Sequence, residues 1–95
     1  MHDIFFPHDK PGIYSLNKSV AFPAIVGGKN ITCEISEEAL EQHFGGNPPR
    51  DYTKVEFDVA MVAAFEAARD RIEAVAARQL EKNPDGVCFL RPEDF

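Results

Sequence analysis

Two runs of alternating residues meet at Gly27-Gly28, and this arrangement constrains the chain more than any other feature. In 19–26 the apolar residues Val20, Phe22, Ala24 and Val26 recur at every second position. In 29–36, Ile31, Cys33 and Ile35 do the same, with Thr32 and Glu34 between them. A period of two belongs to a strand with one buried face. The intervening Gly-Gly-Lys-Asn supplies the positive-φ residues that a tight reversal needs, so the stretch predicts a β-hairpin. Pro23 has no N–H to give a ladder, and its nitrogen must face outward or sit at a bulge.

The flanking segments build a small sheet with helices. Residues 3–6, Asp-Ile-Phe-Phe, form a short apolar run closed by Pro7 and the turn-rich stretch 8–12, and read as a strand. Ser36 is placed as a helix N-cap, with Glu37 and Glu38 in the first turn where the helix dipole favours them. Leu40 and Phe44 give that short helix one apolar stripe, Gly45 is placed to end it, and a loop runs through 45–51. Thr53 and Glu56 have capping-box spacing and start a long helix reaching about Lys82. Alternation at Thr53, Val55, Phe57 and Val59 offers a strand instead, but Ala, Glu and Arg dominate from 60 to 81 and neither Gly nor Pro intrudes. Met61, Phe65, Ala68, Ile72, Val75, Ala76 and Gln79-Leu80 share the stripe of that helix. Asn83-Pro84-Asp85-Gly86 is a turn, 87–90 a last strand and 91–95 a terminal turn. The expected class is α+β: an N-terminal strand, a hairpin and a C-terminal strand, with one short and one long helix on one face.

At 95 residues the chain forms a single small domain, 1–95, and its 44% apolar content with eight phenylalanines supplies one core. The charge of −6 is unevenly spread: residues 1–35 hold three basic and three acidic groups, residues 36–95 seven basic and thirteen acidic. That balance repels phosphate backbones and disfavours nucleic acid. No apolar run approaches ~18 residues, so a membrane partner is not expected. Cys33 and Cys88 fall in no metal-binding pattern and read as small buried residues, reduced in a cytoplasmic protein.

The histidines raise the question of a metal. His2-Asp3 and His8-Asp9 are two such pairs, and His43 follows later. If residues 2–8 are extended, the first two imidazoles stand up to roughly 20 Å apart, whereas one zinc needs both nitrogens at about 2 Å. His43, at a helix end, complements the dipole. No nucleophile elbow surrounds Ser15, Ser19 or Ser36, and Gly27-Gly28-Lys29 lacks the spacing of a phosphate loop. No catalytic residue, cofactor or metal ligand is assigned.

A different cluster lies on the long helix, where Glu66, Arg69, Asp70, Arg71 and Glu73 crowd together. Most of it reads as a solvated face. With Phe65 at 0°, however, Ile72 falls near roughly −20°, Ala76 near +20° and Arg69 near +40°. Arg69 is flanked by stripe residues. Its stem either snorkels along the core edge or its guanidinium is held by a carboxylate of 93–95 or of another chain. Phe65, Arg69, Asp70, Ile72 and Glu73 are therefore the candidate interaction or structural residues. A helix of almost thirty residues also spans about 40 Å, more than short strands cover. Its overhang is covered either by the short helix 36–44 with the N-terminal strand or by a second copy, in a homodimer, and the second is slightly favoured.

Phe22-Pro23-Ala24, Cys33 with Ile35-Ser36, Ala39-Leu40, and Phe65 with Arg69, Ile72, Glu73 and Ala76 occur in an order that resembles the bacterial domain-of-unknown-function family 1488. The resemblance covers nearly the whole chain. Residues 47–62, ahead of Phe65, look longer than the family pattern, and Arg91-Pro92 replaces a small capping residue. The resemblance implies a small α+β fold and a bacterial, cytoplasmic setting, and it carries over no reaction and no catalytic residues. The expected function is a non-catalytic binding or regulatory module working by protein–protein contacts. The alternatives are a small metal- or ligand-binding enzyme using His2, His8 or His43, or a nucleic-acid accessory protein using Arg69, Arg71 and Arg78.

Overall fold

The computed structural model describes residues 3–9, 11–15, 18–45, 54–83 and 88–95. The hairpin forms as its alternation requires. β3 (Ser19–Val26) and β4 (Lys29–Ser36) pair antiparallel from Val26↔Lys29 to Ser19↔Ser36. Gly27 and Gly28 close it with φ of 56° and 85°, both positive as a type I′ turn demands. The pair flanking such a turn is hydrogen-bonded and the pairs then alternate. Pro23, opposite Thr32, therefore turns its nitrogen away from β4. On that far edge β1 (Ile4–Phe5) pairs with residues 25–26 and β2 (Ile13–Ser15) with residues 19–21. Pro23 falls in the gap between them, where a missing N–H costs no ladder bond.

β2 is the strand that the sequence pattern does not reveal, since three residues are too few to display a period. After the helices, β5 (Cys88–Leu90) returns and pairs parallel with β4. The sheet order is β1-β3-β4-β5, with β2 beside β3 on the β1 edge. The α+β class holds, with a mixed sheet.

α1 (Glu37–His43) starts at Ser36, whose hydroxyl accepts the Ala39 N–H at 3.1 Å. It buries Ala39 and Leu40, and the chain leaves through Gly45 at φ 67°. The C-terminal turn is a short 3₁₀ helix, Pro92–Asp94, and His43 Nε2 lies 3.0 Å from the Pro92 carbonyl. The Thr53 capping position, the loop 46–51, residues 84–87 and His2 lie outside the described residues.

The single long helix is corrected. Residues 54–59 are helical, not strand, but two helices form: α2 (Lys54–Ala67) and α3 (Arg69–Lys82). At the junction the Ala68 N–H reaches the Phe65 carbonyl at 3.1 Å, three residues back, and Ala68 sits at φ −120°, ψ 19°. Neither Gly nor Pro causes the break. Its cause is tertiary: α2 packs on β2, β3 and α1, α3 packs on β5, and Arg69 is drawn inward between them. Each 14-residue helix spans only about 21 Å, so the 40 Å overhang expected to seat a second copy does not exist.

The core lies between these helices and one face of the sheet. Val20, Phe22, Ala24, Cys33, Ile35 and Leu90 meet Met61, Phe65, Ile72, Ala76 and Leu80, all at most 1% exposed. The Phe22 and Phe65 rings stack with centroids 5.0 Å apart. Gly12 is pressed into this contact. A Cβ there would stand 2.7 Å from Phe65 Cδ2 and 2.8 Å from Val20 Cγ1. Tyr14, facing the core side of β2, donates its hydroxyl to Glu37 Oε2 at 2.7 Å and so ties β2 to α1.

Two outcomes are expected. Gly12→Ala overpacks the Phe65 ring and destabilises by about 1–3 kcal/mol; an unchanged urea midpoint would show that the ring yields without cost. Burial, the hydrogen bond to Glu37 and the charges of Glu37, Asp58 and Glu41 push the Tyr14 hydroxyl up to about 12. A raised folded value means that this stabilisation is whole below pH ~10 and lost as pH rises toward ~12. Ultraviolet titration should show a late tyrosinate step that Tyr14→Phe removes.

Candidate functional site

A polar network occupies the α2–α3 junction. Arg69 is the first residue of α3, where the helix dipole disfavours a cation, and it is only 7% exposed. Its charge is met from three directions. Nε donates to Glu73 Oε2 at 3.0 Å, Nη1 to Glu66 at 3.2 and 3.3 Å, and Nη2 to the Pro7 carbonyl at 3.0 Å. The guanidinium also lies 5.3 Å from the Phe65 ring centroid. A buried charge persists only with such partners. Both carboxylates then reach back to the N-terminal segment: Glu66 Oε1 accepts the Gly12 N–H at 2.9 Å, and Glu73 meets His8 Nε2 at 2.8 and 2.9 Å. The network thereby clamps Pro7, His8 and Gly12 onto the helix junction.

The five residues singled out in the sequence separate into two groups. Phe65 and Ile72 are fully buried core residues. Arg69, Asp70 and Glu73 line one site, with Arg69 and Glu73 buried and Asp70 exposed. The carboxylates that hold Arg69 come from its own helical pair, Glu66 and Glu73, rather than from residues 93–95. The spacing shows these i−3 and i+4 partners, but not that they are buried. It gives no sign of His8, Pro7 or Gly12, which lie more than fifty residues away. His8, Asp70 and Glu73 bring ligand atoms within 4.8 Å of one another. Beside them opens a cleft of about 430 Å³, lined by His8, residues 66–68, Arg69, Asp70 and Arg71. Arg71 stacks over the Phe44 ring at 5.2 Å.

The opposite face of the sheet is the second candidate surface. The registers place Phe5, Ile13, Ala21, Pro23, Ile25 and Phe89 there, away from the core. Phe5 is 61% and Ile13 66% exposed. A groove of about 170 Å³ runs between Pro11, Ile13, Ala21, Pro23 and Thr32. Glu34 on this face accepts from Ser19 at 2.6 Å and Ser15 at 3.1 Å. Cys33 and Cys88 are free, buried and paired across β4 and β5. Their mutual hydrogen bond and burial push the Cys33 thiol up, so it is a poor nucleophile.

Arg69→Ala leaves Glu73 buried with one partner fewer and should destabilise by about 3 kcal/mol, with Arg69→Lys intermediate because one ammonium lacks the fork that spans these acceptors. Chemical unfolding measures both; an unchanged midpoint for Arg69→Ala would show the network to be neutral to the fold.

Among the described residues no helix is long and apolar enough to cross a membrane. No curated protein and no solved structure matches the chain. A family model does, that of "Protein of unknown function (DUF1488)", over residues 4–88, and with nearly its whole length matched the chain belongs to this family.

Proposed function

We propose that the chain is a non-catalytic binding module acting through protein–protein contacts, and that it pairs with a second copy of itself across the open sheet face. The observation that carries this reading is the exposure of Phe5 and Ile13 at 61% and 66% on the sheet face that the register turns away from the core. Exposed apolar patches of this kind on a polar domain are typical contact surfaces. Charge favours self-association there. Two copies of −6 repel, but the excess resides in residues 36–95, while residues 1–35, which supply nearly all of this face, are balanced. A self-complementary patch across a two-fold axis is the commonest route to a closed dimer. The compartment we infer is the bacterial cytoplasm, consistent with two core-facing thiols. A second reading, that of a metal- or ligand-binding protein, has one observation in its favour: the convergence of His8, Asp70 and Glu73 beside the cleft.

Sedimentation over a wide concentration range tests the dimer. The unmodified chain should associate, and Phe5→Ser and Ile13→Ser should each give a monomer with a melting temperature close to that of the parent, since exposed positions contribute little to folding. A parent chain monomeric at every concentration would overturn the reading.

A further inference from the structure

We propose that His8, Asp70 and Glu73 form a binding site for one divalent transition-metal ion of the zinc or manganese class. This inference goes beyond the binding-module reading and stands independently of it. One imidazole and two carboxylates are a donor set that suits such ions. Their atoms lie within 4.8 Å of one another, and His8 Nε2 is already 2.8 and 2.9 Å from the two Glu73 oxygens. Ligands about 2.0–2.2 Å from a shared ion stand roughly 3–3.5 Å apart, so the site closes on an ion with small side-chain movements. Asp70 and Glu73 are three apart on α3 and share a face. Asp70 is exposed and makes no hydrogen bond or ion pair among the described residues.

The surroundings are built to hold these donors. His8 is fixed by its neighbour Pro7, whose carbonyl takes Arg69 Nη2, and by Gly12, whose N–H is held by Glu66. Arg69 fastens Glu73 at Oε2 and leaves Oε1 to the imidazole side, the outer-shell role that orients a ligating carboxylate. The charges also close. Glu66 offsets Arg69, leaving Asp70 and Glu73 as two negative charges for a divalent ion. Arg71 lines the same cleft with its guanidinium over Phe44, and the α3 N-terminus adds about half a positive charge; both weaken the site without cancelling it. The open cleft of about 430 Å³ admits water to the remaining coordination positions.

Isothermal titration of the full chain with zinc chloride and with manganese chloride, paired with thermal unfolding before and after chelator, decides the matter. The expected result is one ion per chain, a melting temperature that rises with metal and falls back with EDTA, and affinity lowered at least about tenfold by Asp70→Asn and by His8→Ala. Asp70→Asn should lower the metal-free melting temperature by no more than about 5 °C, the loss of one first-turn charge, which separates loss of a ligand from loss of the fold. His43→Gln, away from the site, should bind as the parent does. Absence of heat and of any thermal shift in the parent chain overturns the proposal. So does binding that survives both site variants, or that disappears with His43→Gln.

Discussion

The interaction on which the rest of the molecule depends is the burial of one guanidinium at a helix junction. Arg69 has its fork filled by two carboxylates and a backbone carbonyl, and no rearrangement moves one of these without disturbing the others. Glu66 and Glu73 are fixed because they hold Arg69, and they in turn fix Gly12 and His8. The N-terminal segment is thereby fastened to elements made much later in the chain. Planar, multi-donor geometry is what suits arginine and not lysine to such a post. Net of desolvation such a buried pair contributes little, whereas removing one partner leaves the other charge uncompensated.

That arrangement explains the break at Ala68. An uninterrupted helix from 54 to 82 satisfies every local preference. The protein gives up regular bonding at one turn and gains two things. α2 can follow β2 and α1 while α3 crosses toward β5, and Arg69 can turn inward. A lost helical hydrogen bond is worth about 0.5–1.5 kcal/mol, a small sum beside the full burial of Met61 and Phe65 on one side and Ile72, Ala76 and Leu80 on the other.

This contrast also marks how far the sequence could be read. The hairpin, the N-cap at Ser36, the apolar stripe and the α+β class were legible because each follows from a period or a fixed spacing within one segment. The odd position of Arg69 was legible too, since its helical angle sets it against Phe65 and Ile72. The helix break, the strand at Ile13–Ser15 and the meeting of His8 with Glu73 were not. Each arises from contacts between distant segments, and a chain read residue by residue carries no mark of them. The apolar outer sheet face was hidden for a related reason: Phe5 and Ile13 resemble core residues until register shows which side they take.

The parallel pairing of β4 with β5 sets an order of events in folding. β3 and β4 are joined by two residues and zip locally, whereas Cys33 meets Cys88 only after both helices have been laid down between them. Closing so long a loop is slow compared with forming a hairpin. Until it happens, one edge of β4 offers its amides and carbonyls to any extended chain nearby. A growing polypeptide on the ribosome passes through that state for as long as residues 37–87 take to be translated. For that interval β4's exposed edge is the part of this protein most open to misassembly and to chaperone capture.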